Sequence, residues 1–245
     1  MTGAAPSAIE VRGLTFRYGR GRAVLDDVSL TVPAGQRALL VGRNGAGKTT
    51  LLGVLAGRHL VPPERARVLG RPAFHDTSLA ARVQLLGGRF PFDVDLRVAE
   101  ILARAPGLVE ERRERLVALL GVDPEWRMHA ISDGQRRRVQ LLLGLVRPSD
   151  LLLLDEVTTD LDVVARADLL RFLRTDSEAR GTTVLYATHI MDGLEDWATH
   201  LVLMDEGRIR LHMATGDIPE VSALRAAGVA SPLLRVVERW LRDLA

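Results

Sequence analysis

The chain has 245 residues with 33 basic and 31 acidic side chains, a net charge of +2 and no cysteine. This length suffices for one α/β domain with a sizeable core, and the missing cysteines exclude disulfides, thiol catalysis and cysteine-held metals. Near-balanced charge without a dense basic cluster gives no reason to expect direct contact with nucleic acid. Residues 1–8 are small and polar, unlike the apolar centre of a signal peptide, and no apolar run nears the roughly 20 residues of a membrane span. A cytoplasmic location is expected on these grounds.

Residues 9–16 and 24–32 read as β-rich stretches parted by a turn, Tyr18-Gly19-Arg20-Gly21-Arg22. Ala38-Leu39-Leu40-Val41 then leads into Gly42-Arg43-Asn44-Gly45-Ala46-Gly47-Lys48-Thr49, and residues 50–56 have a helical pattern that Gly57 stops. Strand, glycine loop and helix N-terminus in that order aim loop amides and the helix dipole at one anion. Lys48 is the single lysine of the chain; the other basic side chains are all arginine. A lysine is needed where a compact charge on a flexible stem must wrap the β- and γ-phosphates, a task that does not suit a planar guanidinium. The sequence therefore predicts a nucleoside triphosphate held by Gly42, Arg43, Asn44, Gly45, Ala46, Gly47, Lys48, Thr49 and Thr50, with the Thr49 hydroxyl on magnesium.

Short strands are expected at residues 67–69 and 83–86. From about residue 95 to residue 130 the period changes. Leu96, Ala99, Ile101, Leu102, Leu108, Leu116, Leu119 and Leu120 recur at helical spacing among charges, which predicts a helical subdomain inserted into the α/β core. Strand-type runs return at 151–154, 182–187 and 201–204, alternating with helices, as in a parallel sheet covered by helices. Leu151-Leu152-Leu153-Leu154 has no polar alternation, the mark of a strand buried on both faces. The tail, residues 217–245, is expected to be helical. Its Leu233, Val237, Trp240, Leu241 and Leu244 share a face that packs either on its own domain or on a partner.

Two further groups sit where such a sheet binds ligands, and a third opens a helix. Asp155 and Glu156 lie at the carboxyl end of the leucine strand and face opposite ways; Asp155 suits magnesium, and Glu156 suits orienting and deprotonating an attacking water. Ile131-Ser132-Asp133-Gly134-Gln135 opens a helix over 136–146. Ser132 and Gln135 fit a capping box, while Ser132, Gly134 and the bare amides of a positive dipole end also make an anion site. His189, in Tyr186-Ala187-Thr188-His189, ends another core strand at the same edge and is read as a γ-phosphate contact.

With these groups in this order, the sequence resembles the nucleotide-binding domains of the ATP-binding cassette (ABC) superfamily over residues 9–211. Residues 42–49 resemble its Walker A loop, 151–156 its Walker B strand, 131–135 its signature, Thr159-Asp160-Leu161-Asp162 its D-loop and His189 its switch histidine. Tyr18 matches the aromatic on which adenine stacks, with Phe16 as the substitute. The resemblance implies a P-loop NTPase core of ABC type with an antiparallel β subdomain and an inserted α-helical subdomain, all in a single domain spanning 1–245. It also implies ATP and magnesium as ligands and a head-to-tail dimer with a second copy of the chain. In that dimer each ATP lies between Lys48, Thr49, Asp155, Glu156 and His189 of one copy and Ser132, Gly134 and Gln135 of the other. Donors that are incomplete in a monomer are then completed across a two-fold interface. Lys48, magnesium and His189 stabilise charge while Glu156 handles the water.

Three positions depart from the family pattern. Asp133 stands where glycine is usual, Val157 where proline is usual, and Gly87 or Gly88 where the Q-loop glutamine is expected; Gln84 lies too early unless the strand is shifted. The stretches 132–140, 154–162 and 186–195 are similar to the stand-alone soluble ABC ATPases associated with the CCR-NOT transcription complex and to their plant relatives. That similarity implies a regulatory ATPase working without a transport channel. It also puts Arg136-Arg137-Arg138 within the motif, the alternative being a solvated helix face. Two other functions stay open: the ATP-binding subunit of a membrane transporter whose channel is another chain, and a nucleotide-gated scaffold with little hydrolysis, for which Asp133 is the reason.

Overall fold

The structure, a computed structural model, describes residues 6–88, 95–105 and 107–244. In chain order it contains β1 (Ser7–Arg17), β2 (Ala23–Pro33), β3 (Arg37–Val41), α1 (Lys48–Leu55), β4 (Ala66–Val68), β5 (Arg71–Pro72), β6 (Val83–Gly87), α2 (Val98–Leu102) and α3 (Glu110–Leu120). There follow α4 (Asp133–Leu145), β7 (Leu151–Asp155), α5 (Val163–Arg180), β8 (Thr183–Ala187), β9 (His200–Asp205), β10 (Arg208–Ala214), α6 (Pro219–Ala226) and α7 (Pro232–Asp243). One sheet is antiparallel, in the order β2-β1-β4-β5; the other has the order β10-β9-β3-β8-β7-β6. In the second sheet every pair is parallel except β9 with β10.

β7 shows why the larger sheet lies in the middle. Leu151 and Leu153 pack with α1 and the antiparallel sheet, while Leu152 and Leu154 pack with α3 to α7. The period-2 alternation of a strand sends successive leucines into two different cores, each contributing about 2 kcal/mol of burial. The same division holds for Leu40 against Leu39 and for Leu185 against Tyr186. Register then aligns the strand ends: Leu40 pairs with Ala187, Ala187 with Asp155, and Asp155 with Gly87. The carboxyl termini of β3, β8, β7 and β6 form one edge, the place where open α/β sheets bind ligands.

Within the stretch expected to be a helical subdomain lie two helices, α2 and α3. α3 ends where Gly121 adopts a left-handed conformation, at φ 57, a helix stop that glycine permits at little cost. Arg112 fastens α3 inward: its guanidinium is bidentate to Asp176 on α5, Nε donates to the Leu145 carbonyl at 2.6 Å, and the group lies 4.8 Å over the Phe172 ring. α7 packs on its own chain, with Leu233, Val236 and Val237 buried in the helical core. Its first turn lacks a side-chain cap of its own, and Glu195 supplies one by accepting from the Leu233 and Leu234 amides at 3.0 Å each. A carboxylate there also meets the positive dipole end.

β9 and β10 carry a stacked histidine pair, His200 and His212, with ring centroids 5.9 Å apart. His212 Nε2 is buried without a hydrogen-bond partner among the described residues. Burial lowers both histidine pKa values; Asp217 opposes the shift at His200, and His200 adds to it at His212. With folded values below the unfolded one, the pair's stabilisation is whole above about pH 6.5 and is lost as pH falls through the folded values. Melting temperature should therefore fall between about pH 7.5 and about pH 5, and fall less in His212→Leu. Equal drops in the two proteins would acquit the pair.

Candidate functional site

β3 delivers the chain to a glycine loop whose conformation is dictated by sterics. Gly47, at φ 102, precedes α1, and a Cβ there would meet the Val24 carbonyl oxygen and Met204 Cε at 2.8 Å. Only glycine fits both the angle and the space. Lys48 begins the helix nearly buried, at 8% exposure, and its Nζ donates to the Gly42 carbonyl at 2.7 Å and the Arg43 carbonyl at 3.1 Å. Burial lowers the ammonium pKa, opposed by the charges of Glu156 and Asp155. The loop thus holds one desolvated cation beside two carboxylates.

Those carboxylates face different partners, but not through strand alternation: β7 ends at Asp155, and Glu156 follows it at φ 49. Asp155 shares a cleft with Lys48 and Thr49 of the loop. Burial raises its pKa; the nearby Thr49 hydroxyl and the charges of Lys48 and Arg137 oppose that shift, and Glu156 adds to it. Glu156 turns toward β8. Its Oε2 accepts from Thr188 Oγ1 at 3.1 Å and from the His189 amide at 3.4 Å, and its Oε1 is 2.9 Å from His189 Nδ1. With a carboxylate accepting, Nδ1 carries the proton. Glu156 sits at φ 49, a conformation uncommon for a side chain of its size. Strain of this kind persists where surrounding contacts over-determine it: here the Glu156 amide donates to Ala187 and its carbonyl accepts from Thr159 Oγ1 at 2.6 Å.

A cleft of about 230 Å³ gathers residues 44–50, Val24, Asp155 and Glu156. Gly42 and Arg43 serve from beneath it through their carbonyls, and His189 joins through Glu156 rather than as a lining residue. Tyr18 stands to one side. Its hydroxyl is 3.2 Å from Thr50 Oγ1 and 3.3 Å from His59 Nε2, and its ring meets those of Phe16 and His59 edge-on at 5.1 and 5.4 Å. The ring itself is 54% exposed, leaving area on which a base could stack.

Ser132 and Gln135 form the expected capping box at the start of α4: Ser132 Oγ accepts from the Gln135 amide at 3.3 Å, and Gln135 Oε1 accepts from the Ser132 amide at 2.9 Å. The helix begins at Asp133, earlier than the sequence predicts, because this cap recruits the signature residues into the first turn. Asp133 is exposed there, and a carboxylate in a first turn is favoured by the dipole. Ser132, Gly134 and Gln135 do not line the cleft, so one copy of the chain does not bring them to the loop. Arg137 and Arg138 are not a solvated face. Arg137 Nε is 3.2 Å from Asp160 Oδ2, and Arg138 Nη2 is 2.5 Å from Asp162 Oδ2. Val157, at 1% exposure, is buried in the helical core.

Sequence reasoning missed His59, Thr188 and Gln140. Each acts through a partner far along the chain, and none carries a local pattern that would single it out. It also missed the reason for Gly87, at φ 145. A Cβ there would stand 2.5 Å from the Asp155 carbonyl oxygen and 2.6 Å from Asp155 Cβ, so no glutamine side chain fits this position.

The donors at the loop suit a hard divalent cation. Thr49 and Asp155 offer oxygen only, and the carboxylate is partly buried with its charge incompletely compensated. No group of three or more His, Asp or Glu side chains gathers to hold a metal among the described residues. Magnesium bound with a nucleotide needs no such cage, since phosphates and water fill its remaining positions.

A family model described as ABC transporter matches residues 25–159. The chain is similar to ABC transporter I family member 20 of Arabidopsis thaliana, at 44% identity over 257 residues, covering 96% of this chain and 76% of the relative. It is also similar to CCR4-associated factor 16 of Saccharomyces cerevisiae, at 42% identity over 223 residues, covering 82% of this chain and 77% of that one. Among solved structures, an ATP binding subunit of an ABC transporter superposes with a TM-score of 0.77 at 26% identity, covering 96% of this chain and 99% of that one.

Proposed function

The chain belongs to the ABC transporter family, and from that membership and the cleft's geometry we propose that it binds ATP with magnesium and hydrolyses it between two copies arranged head to tail. The observation that carries the reading is the division of labour between adjacent acids: Asp155 lines the cleft with Lys48 and Thr49, whereas Glu156 is held by Thr188 and His189. Residues 42–50 hold the phosphates, with Lys48 on the β- and γ-oxygens. Thr49 and Asp155 hold magnesium, which when bound supplies charge neutralisation at the phosphates. Glu156 takes the proton of the attacking water, and His189 fixes the carboxylate's direction through Nδ1. Tyr18 offers its exposed ring to adenine.

Ser132, Gly134 and Gln135 lie away from the cleft of their own chain, which supports their serving the partner's nucleotide. Donors divided in this way converge only across a two-fold interface. We assign the whole chain to one cassette, with α2 and α3 as its inserted helical part and α6 and α7 as its tail. No helix among the described residues is long and apolar enough to cross a membrane. A cytoplasmic ATPase acting without a channel is the reading we favour, supported by Gly87 and Gly88, which carry no side chain that could report the metal site outward. A transporter subunit is the second reading, supported by the family's name.

Turnover by the purified chain separates them. Hydrolysis on the order of 1 per second with ATP and magnesium alone is the expected result. Turnover appearing only with a membrane partner would move the protein to the second reading, and ATP binding without turnover in either case would leave a gated scaffold.

A further inference from the structure

Two side chains on α4 reach the carboxyl edge of the sheet from behind. Gln140, at 9% exposure, donates from Nε2 to the Gly87 carbonyl at 3.2 Å. Arg137 donates from Nη1 to the Gly88 carbonyl at 3.2 Å and to Gln140 Oε1 at 2.6 Å, while its Nε reaches Asp160 at 3.2 Å. The Gln140 amide is therefore used at both ends, and the guanidinium joins the end of β6, α4 and the loop after Glu156. Its side chain is 15% exposed, so these contacts form with much of the water removed and hold their geometry better than surface pairs do.

What the two residues hold is the strand end against which Asp155 is set. Gly87 is the register partner of Asp155, and the two backbones touch closely enough that a methyl group would not fit between them. A shift of Gly87 toward β7 therefore displaces Asp155. We propose that Arg137 and Gln140 are positioning residues for the metal-facing carboxylate of Asp155, acting through the Gly87 and Gly88 carbonyls, and that Arg137 links this support to the Asp160 loop. A purely structural alternative is that Gln140 only satisfies a strand-end carbonyl, which any buried backbone acceptor requires. The two differ in what magnesium should contribute.

The proposal rests on the magnesium–nucleotide reading above, and the experiment separates the two. ATP affinity is measured at equilibrium with and without magnesium for the wild type, Arg137→Ala, Gln140→Glu and Lys48→Ala. Gln140→Glu keeps an acceptor for Arg137 and loses the donor to Gly87. In both α4 variants the gain in affinity on adding magnesium should shrink by about tenfold, the loss typical when the support of a metal ligand is removed, while affinity without magnesium stays within about twofold. Should Arg137→Ala fail to fold, Arg137→Lys is read in its place, with a smaller loss in the same direction. An unchanged magnesium gain in the α4 variants, with Lys48→Ala abolishing binding, overturns the positioning role alone. Wild type without ATP binding, or without any magnesium gain, overturns the reading on which it rests.

Discussion

Glu156→Gln should lower steady-state hydrolysis by about a thousandfold, within the range for removing a general base, and should leave ATP affinity intact. Glutamine matches glutamate in shape and can keep a carbonyl toward Thr188 and the His189 amide, which hold the native carboxylate at 3.1 and 3.4 Å. It cannot take a proton from water. It also removes a negative charge from beside the γ-phosphate, so a nucleotide-bridged pair of chains loses one source of repulsion and cannot complete the reaction that would part it. With ATP and magnesium the variant should elute from a sizing column at the mass of two chains. Elution as a monomer would rule out the head-to-tail arrangement, and undiminished turnover would remove Glu156 from the chemistry.

Lys48→Ala should weaken ATP binding by about a hundredfold or more. Two charge-assisted contacts to phosphate oxygens are together worth about 3 kcal/mol, and tenfold in affinity corresponds to about 1.4 kcal/mol. Lys48→Arg is the sharper test, because arginine supplies nearly every other cation in this chain. Lys48 is 8% exposed and its Nζ donates to the Gly42 and Arg43 carbonyls at 2.7 and 3.1 Å, contacts of a compact ammonium that a longer, planar guanidinium does not reproduce. Arginine should therefore fail almost as badly as alanine. Truncation also strands two carbonyls, so a melting curve must show that the variant remains folded. Isothermal titration that finds wild-type affinity in either variant would mean that the loop does not grip a triphosphate.

Sequence reading reached the sheet because its signals are local. Four consecutive leucines announce a strand with two buried faces, and Ser132 with Gln135 announces a capping box; both are found, although the capped helix starts at Asp133 rather than at 136. β10 escaped notice although Ile209 and Leu211 alternate with Arg208, Arg210 and His212, since an antiparallel edge strand beside a parallel sheet has weak burial contrast. Spacing marked residues 95–130 as helical without dividing them, and Gly121, left-handed at φ 57, is where α3 stops.

The site divides along the same line. Lys48, Thr49, Asp155 and Glu156 were legible as candidates because a glycine loop at a helix start and acids at a strand end carry their chemistry in neighbouring residues. Local pattern accounts for the order of strands and helices apart from β10, for the glycine loop and for the acid pair. Tertiary structure alone decided that His189 locks Glu156, that Tyr18 leans on Thr50 and His59, that Arg137 and Arg138 hold acids of another loop, and that Gly87 has room for nothing larger. Each of these contacts joins residues distant along the chain, and their geometry exists only after two hydrophobic cores have fixed the strands in register. Local pattern sets which groups are present; packing sets which of them meet.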